Sequence, residues 1–114
     1  MAITYEDVSD SLRRIALSGR LDGPGTAEIA ARFASLATAA RYRVVVDLTA
    51  VSFLASIGIR AVLTNAKAAQ QNGGRMVLYV GGNPAVIKTL EATGIDVLIP
   101  TFASAAEAEK AALG

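Results

Sequence analysis

The chain has no Cys, no His and no Trp, so neither a thiolate nor an imidazole is present to act as nucleophile, general base or metal ligand. Any chemistry rests on carboxylates and hydroxyls near strand ends. Three places qualify: Asp47 after the run Val44-Val45-Val46, Ser56 within Val51-Ser52-Phe53-Leu54-Ala55-Ser56-Ile57-Gly58-Ile59, and the turn Gly81-Gly82-Asn83-Pro84. Asp22, after a second early strand, joins them if the sheet is parallel, because functional loops gather at the carboxyl ends of parallel strands.

Each place has a plain structural reading. Gly81-Gly82-Asn83-Pro84 lacks the further glycines and the Lys-Ser/Thr of a phosphate loop, so it reads as a turn and helix cap. A phosphate-accepting Asp47 would need an acidic pair to hold a divalent cation and a Lys after the last strand, where the chain has Pro100-Thr101-Phe102. Asp47 therefore reads as a carboxylate accepting backbone hydrogen bonds from the loop that follows. The spacing places Ser56 at the N-cap of a helix. Its neighbours add something: Leu54 and Ile57 flank the hydroxyl and Gly58 permits close approach, the pattern of a docking surface more than of a solvated loop.

The elements that position these residues follow from periodicity. Ile3–Val8 and Leu12–Ser18 form a hairpin around Ser9-Asp10-Ser11. Ile29, Phe33, Leu36, Ala37 and Ala40 recur at helical offsets, started by Thr26 or the Gly-Pro step. Val44 to Leu48 is a β-branched run apolar enough for a central strand covered on both faces. After a loop from Thr49 to Ala55, a second helix carries Ile59, Val62, Leu63 and Ala66 and stops at Asn72-Gly73-Gly74. Met76–Val80 is the next strand, and Asn83-Pro84 starts a helix that ends at Gly94. Val97-Leu98-Ile99 is a last strand stopped by Pro100, and Ser104 with Glu107 forms a capping box before an Ala-rich helix. The order β-β-α-β-α-β-α-β-α implies an α/β fold with a mostly parallel sheet and an antiparallel N-terminal edge.

Composition bounds the rest. The 114 residues are 53% apolar and 18% charged, which fits one folded domain over residues 1–114 without disulfide or metal. The net charge of +1, 11 basic against 10 acidic residues, gives no electrostatic footprint for nucleic acid. Much of the hydropathy comes from 23 Ala, and charges interrupt every stretch approaching a membrane span. Met1–Asp7 has no basic segment followed by an apolar core, so no signal peptide is read and a cytoplasmic location is expected.

Taken together, Gly19-Arg20-Leu21-Asp22, Val45-Val46-Asp47-Leu48, Val51-Ser52-Phe53, Ser56-Ile57-Gly58-Ile59, Gly73-Gly74-Arg75-Met76-Val77-Leu78 and Thr93-Gly94-Ile95 resemble the STAS domain, and within it the bacterial anti-sigma-factor antagonists, over nearly the whole chain. The resemblance implies a binding switch that is not an enzyme and needs no cofactor. In that family the Ser opening the second helix is phosphorylated by an anti-sigma factor serine kinase of histidine-kinase-type ATPase fold, and Ser56 occupies that place. A serine phosphatase would reverse the step. The implied docking patch is Asp22, Leu54, Ala55, Ser56, Ile57, Gly58 and Arg60, with Arg60 one turn on to meet the phosphate. Related STAS modules act instead as non-phosphorylated scaffolds, as subunits of lipid-transport ATPase complexes or as tails of anion transporters.

Overall fold

The computed structural model describes residues 2–39 and 42–114, which leaves Ala40, expected on the inner face of the first helix, outside the described residues. In chain order the elements are β1 (Ala2–Asp7), β2 (Leu12–Leu21), α1 (Gly23–Ala37), β3 (Arg43–Leu54), α2 (Ser56–Gln71), β4 (Arg75–Tyr79), α3 (Pro84–Thr93), α4 (Ile95–Leu98), β5 (Thr101–Phe102) and α5 (Ala105–Leu113). The five strands lie in the order β1-β2-β3-β4-β5. β1 runs antiparallel to β2, and every other pair is parallel. This is the α/β architecture that the residue pattern predicts, with β3 in the centre.

The central strand is covered on both faces because its residues are apolar on both. Val44, Val46 and Leu48 join Ile29, Phe33 and Val62 in the larger core, under α1, α2 and α3. Val45 points the other way and meets Leu12, Val77, Ala108 and Ala112. Alternation along a strand produces this division. The Ala-rich face of α5 lets that helix approach the sheet closely, and Arg14 of β2 holds it with an ion pair to Glu109. At the hairpin, Ser9 Oγ accepts from the Leu12 amide at 3.1 Å, which closes the Ser9-Asp10-Ser11 turn.

Three local expectations are corrected. The segment Thr49–Ala55 is not a loop through most of its length: β3 continues to Leu54, paired with β2 through irregularities between Ala16 and Ser18 and between Gly19 and Arg20. Val97-Leu98-Ile99 is not a strand. Gly94, at φ 74°, ends α3, and the chain turns directly into the short α4, where the Ile99 amide donates to the Ile95 carbonyl at 2.8 Å. The edge strand is Thr101–Phe102, beyond Pro100 rather than before it, and the Pro100 carbonyl accepts from the Leu78 amide at 2.9 Å. A proline at the entry to an edge strand costs no ladder bond.

The third correction concerns Ser56. The N-cap of α2 is Ala55, with extended φ −86° and ψ 168°, and no side chain caps the helix. Ser56 is the first helical residue, so its hydroxyl is released from the capping duty that the spacing assigns to it.

Candidate functional site

The ends of β2 and β3 and the start of α2 form one corner of the molecule. Leu21 pairs with Leu54 at the last rung of the β2–β3 ladder. The Ala55 amide donates to the Leu21 carbonyl at 3.0 Å, which holds the strand-to-helix step against the sheet. Gly58 is then pressed onto the end of β2, and Leu54, only 4% exposed, fills the core beneath it. Leu54 and Gly58 therefore support the corner from within: Leu54 does not flank the hydroxyl at the surface as expected, while Gly58 makes the close approach expected of it, onto the end of β2. The apolar surface beside Ser56 belongs to Ile57, 44% exposed, with Phe53, 41% exposed, at the end of β3.

Ser56 itself is exposed, as is Arg60 one turn later. The first intrahelical bond is Ile59 N–H to the Ala55 carbonyl at 3.0 Å, so the amides of Ser56, Ile57 and Gly58 precede the helical ladder. The first turn of α2 contains no acidic residue. Ser56 thus sits at the positive end of an uncapped helix of 16 residues.

Asp22 lies beside this corner at the end of β2 and is the N-cap of α1. Its Oδ1 accepts from the Gly25 amide at 2.9 Å and its Oδ2 from Arg20 Nε at 3.2 Å. The Gly25 amide first, then Arg20, hold its carboxyl below the ordinary value. α1 starts at the Gly-Pro step and not at Thr26. Thr26 is buried inside the helix. The same Arg20 guanidinium stands 4.5 Å over the Phe53 ring centroid, so Asp22, Arg20 and Phe53 form one contiguous strip across the ends of β2 and β3.

Asp22 is among the docking residues expected from the sequence, whereas Arg20 and Phe53 enter there only within the motifs that carry the resemblance. The signal lies in register: with β2 carried to Leu21, Arg20 faces Phe53 across the ladder. A strand boundary set at Ser18 conceals that pairing.

The other candidates resolve structurally. Asp47 Oδ1 accepts from the Thr49 amide at 2.9 Å and from Thr49 Oγ1 at 2.6 Å, the backbone-stabilising role expected of it. Asn83 is the N-cap of α3 by backbone geometry, but its side chain does not cap. Its Nδ2 donates instead to the carbonyls of Leu48, Thr49 and Val51 at 3.1, 3.3 and 2.7 Å. Among the described residues no group of three or more acidic side chains is placed to hold a metal ion, and no helix is long and apolar enough to cross a membrane.

The STAS domain family model matches residues 5–108. Among solved structures, an anti-sigma factor antagonist from Mycobacterium paratuberculosis superposes with a TM-score of 0.84 at 24% identity, over 99% of this chain and 94% of that one. An anti-sigma-factor antagonist (STAS) domain protein from Planctomyces limnophilus gives 0.80 at 21% identity, over 98% of each chain. The Bacillus cell fate determinant SpoIIAA in its phosphorylated form gives 0.67 at 22% identity, over 94% of this chain and 96% of that one. At these identities the likeness carries the fold. No curated protein matches the chain. With the family model spanning β1 to α5 and the mixed sheet in the same architecture, the chain belongs to the STAS domain family.

Proposed function

We propose that this protein is an anti-sigma-factor antagonist whose Ser56 corner docks on an anti-sigma factor serine kinase and is released when Ser56 is phosphorylated. The observation that carries the reading is the exposed, uncapped start of α2, with Ser56 at its first position and Ile57 and Phe53 beside it. A hydroxyl with no capping role is free to be modified. The fold is known for SpoIIAA in both its unphosphorylated and its phosphorylated form, which supports a scaffold that tolerates a phosphoryl group.

The switch works through binding. Phosphoserine carries about −1.5 to −2 charges. At the positive end of α2 that charge gains about 0.3 to 1 kcal/mol, so the fold persists. In a complex the same group must shed its water beside Ile57 and Phe53, at a cost of several kcal/mol. Docking is lost while folding is kept. Arg60 provides a partial counter-charge that orients the phosphate, and a serine phosphatase restores the docking form. Asp22 and Arg20 contribute the polar rim of the interface around the apolar centre. No step in this cycle is catalysed by the chain itself; the kinase supplies the nucleotide and the transfer chemistry. Titration of both forms against the kinase tests the reading.

A further inference from the structure

A cavity of about 610 Å³ opens at the amino ends of β3 and β4, at the end of the sheet opposite Ser56. Its apolar lining includes Leu63 of α2, Met76 of β4 and Leu98 of α4, and its basic lining is Arg43, Lys67 and Arg75. Among the described residues no acidic side chain and no aromatic ring lines it. Arg43 and Arg75 are direct partners in the β3–β4 register, a like-charge pair that the sheet holds side by side at some cost. None of the three cations makes an ion pair with a described residue. Leu98 is 65% exposed at the mouth, and Val97 beside it is 85% exposed.

We propose that this cavity binds a single-chain amphiphilic anion, a free fatty carboxylate, with the headgroup among Arg43, Lys67 and Arg75 and the chain along Leu63, Met76 and Leu98. The volume lies within the range of about 300 to 1,000 Å³ of small-molecule sites. The combination of unpaired cations with an apolar wall matches a ligand that has one charged end and one oily one. A nucleotide fits less well, since no ring is present to stack on a base. The cavity is separate from the Ser56 corner: its α2 lining runs from Leu63 to Gln70, roughly 10 to 21 Å along the helix from Ser56 at 1.5 Å per residue.

The test is an amide NMR titration of the full chain with octanoate, decanoate and uncharged decanol, together with cosedimentation on phosphatidylglycerol vesicles. Decanoate is expected to shift Leu63, Lys67 and Leu98. It should bind about fifteenfold more tightly than octanoate, because two added methylenes contribute about 0.8 kcal/mol each. Lys67→Glu and Arg75→Glu, both on exposed side chains, should each weaken decanoate at least tenfold without lowering the melting temperature, since Arg75→Glu also relieves the like-charge pairing with Arg43. Leu98→Asp should do the same through the apolar wall. Equal affinity for decanol, shifts that map to the Ser56 end, no response to the charge reversals, or binding to vesicles without binding to free decanoate would each overturn the proposal.

Discussion

A Cβ placed on Gly58 would lie 2.9 Å from Leu21 Cβ and 2.9 Å from the Leu21 carbonyl oxygen. The first turn of α2 therefore rests directly on the last residue of β2, and the absent side chain sets how far Ser56 and Ile57 stand from Asp22. Because the carbonyl is backbone, a methyl group at this position must push the helix outward. Gly58→Ala is expected to lower stability by about 1 to 3 kcal/mol, the usual cost of overpacking, read as a fall in the urea midpoint with the m-value unchanged. Unchanged stability would mean that the helix start is not seated on the sheet.

Asn83 completes the exposed edge of β3. The β3–β4 pairing ends at Asp47 and Tyr79, and past that point the Asn83 amide meets three β3 carbonyls. Asn83→Ala should cost about 1 to 3 kcal/mol by leaving part-buried acceptors unpaired. Asn83→Asp, which sets carboxylate oxygens against carbonyl oxygens, should cost more than Ala. Chemical denaturation of the three proteins checks this order, and an Asp variant more stable than Ala would contradict the assigned donor role.

Acid should weaken the fold through two carboxylates. Asp22 is held below its ordinary value of 3.8 by the Gly25 amide and Arg20, and Asp7 below the same value by its hydrogen bond to Arg13. A depressed folded-state pKa means that the unfolded chain binds protons first. The stabilisation is thus complete above the ordinary value and is lost as pH falls through the folded one. Asp22→Asn keeps a capping oxygen but cannot titrate, so its urea midpoint should fall less steeply in acid, and the gap to wild type should close as pH drops. A gap that widens in acid would contradict the sign.

The parts of the fold that were legible are those in which one physical demand dominates. Val44 to Leu48 reads as a central strand because Val44, Val45 and Val46 put β-branched apolar side chains on both faces. Val97-Leu98-Ile99 has similar composition, yet it follows Gly94 too closely to extend, and only Ile95 and Ile99 are drawn into the core. Short apolar runs do not distinguish a helical turn from a strand. The site was half legible. Ser56 and Ile57 are exposed where the pattern put them, but a one-residue shift in the helix start moved the cap to Ala55. The longer β3, with its irregular pairing, turned Leu54 inward and Phe53 outward.

The position of Ser56 changes what its variants should do to stability. An N-cap serine replaced by Ala would cost about 0.5 to 2 kcal/mol. At the first helical position, with no capping bond to lose, Ser56→Ala should stay within about 0.5 kcal/mol of wild type. Ser56→Asp should be neutral or stabilising by about 0.3 to 1 kcal/mol from the helix dipole. Thermal melts at low salt measure both, and a loss above 1 kcal/mol for Ala would restore the capping role.

The most direct measurement is calorimetric titration of the anti-sigma factor kinase with three preparations: unmodified protein, Ser56→Ala, and protein enzymatically phosphorylated at Ser56. Comparable affinities are expected for the first two and a loss of about a hundredfold or more for the third, corresponding to about 2.8 kcal/mol, with an unchanged melting profile. Phosphorylated protein that binds the kinase as tightly as the unmodified form would show that Ser56 is not the switch.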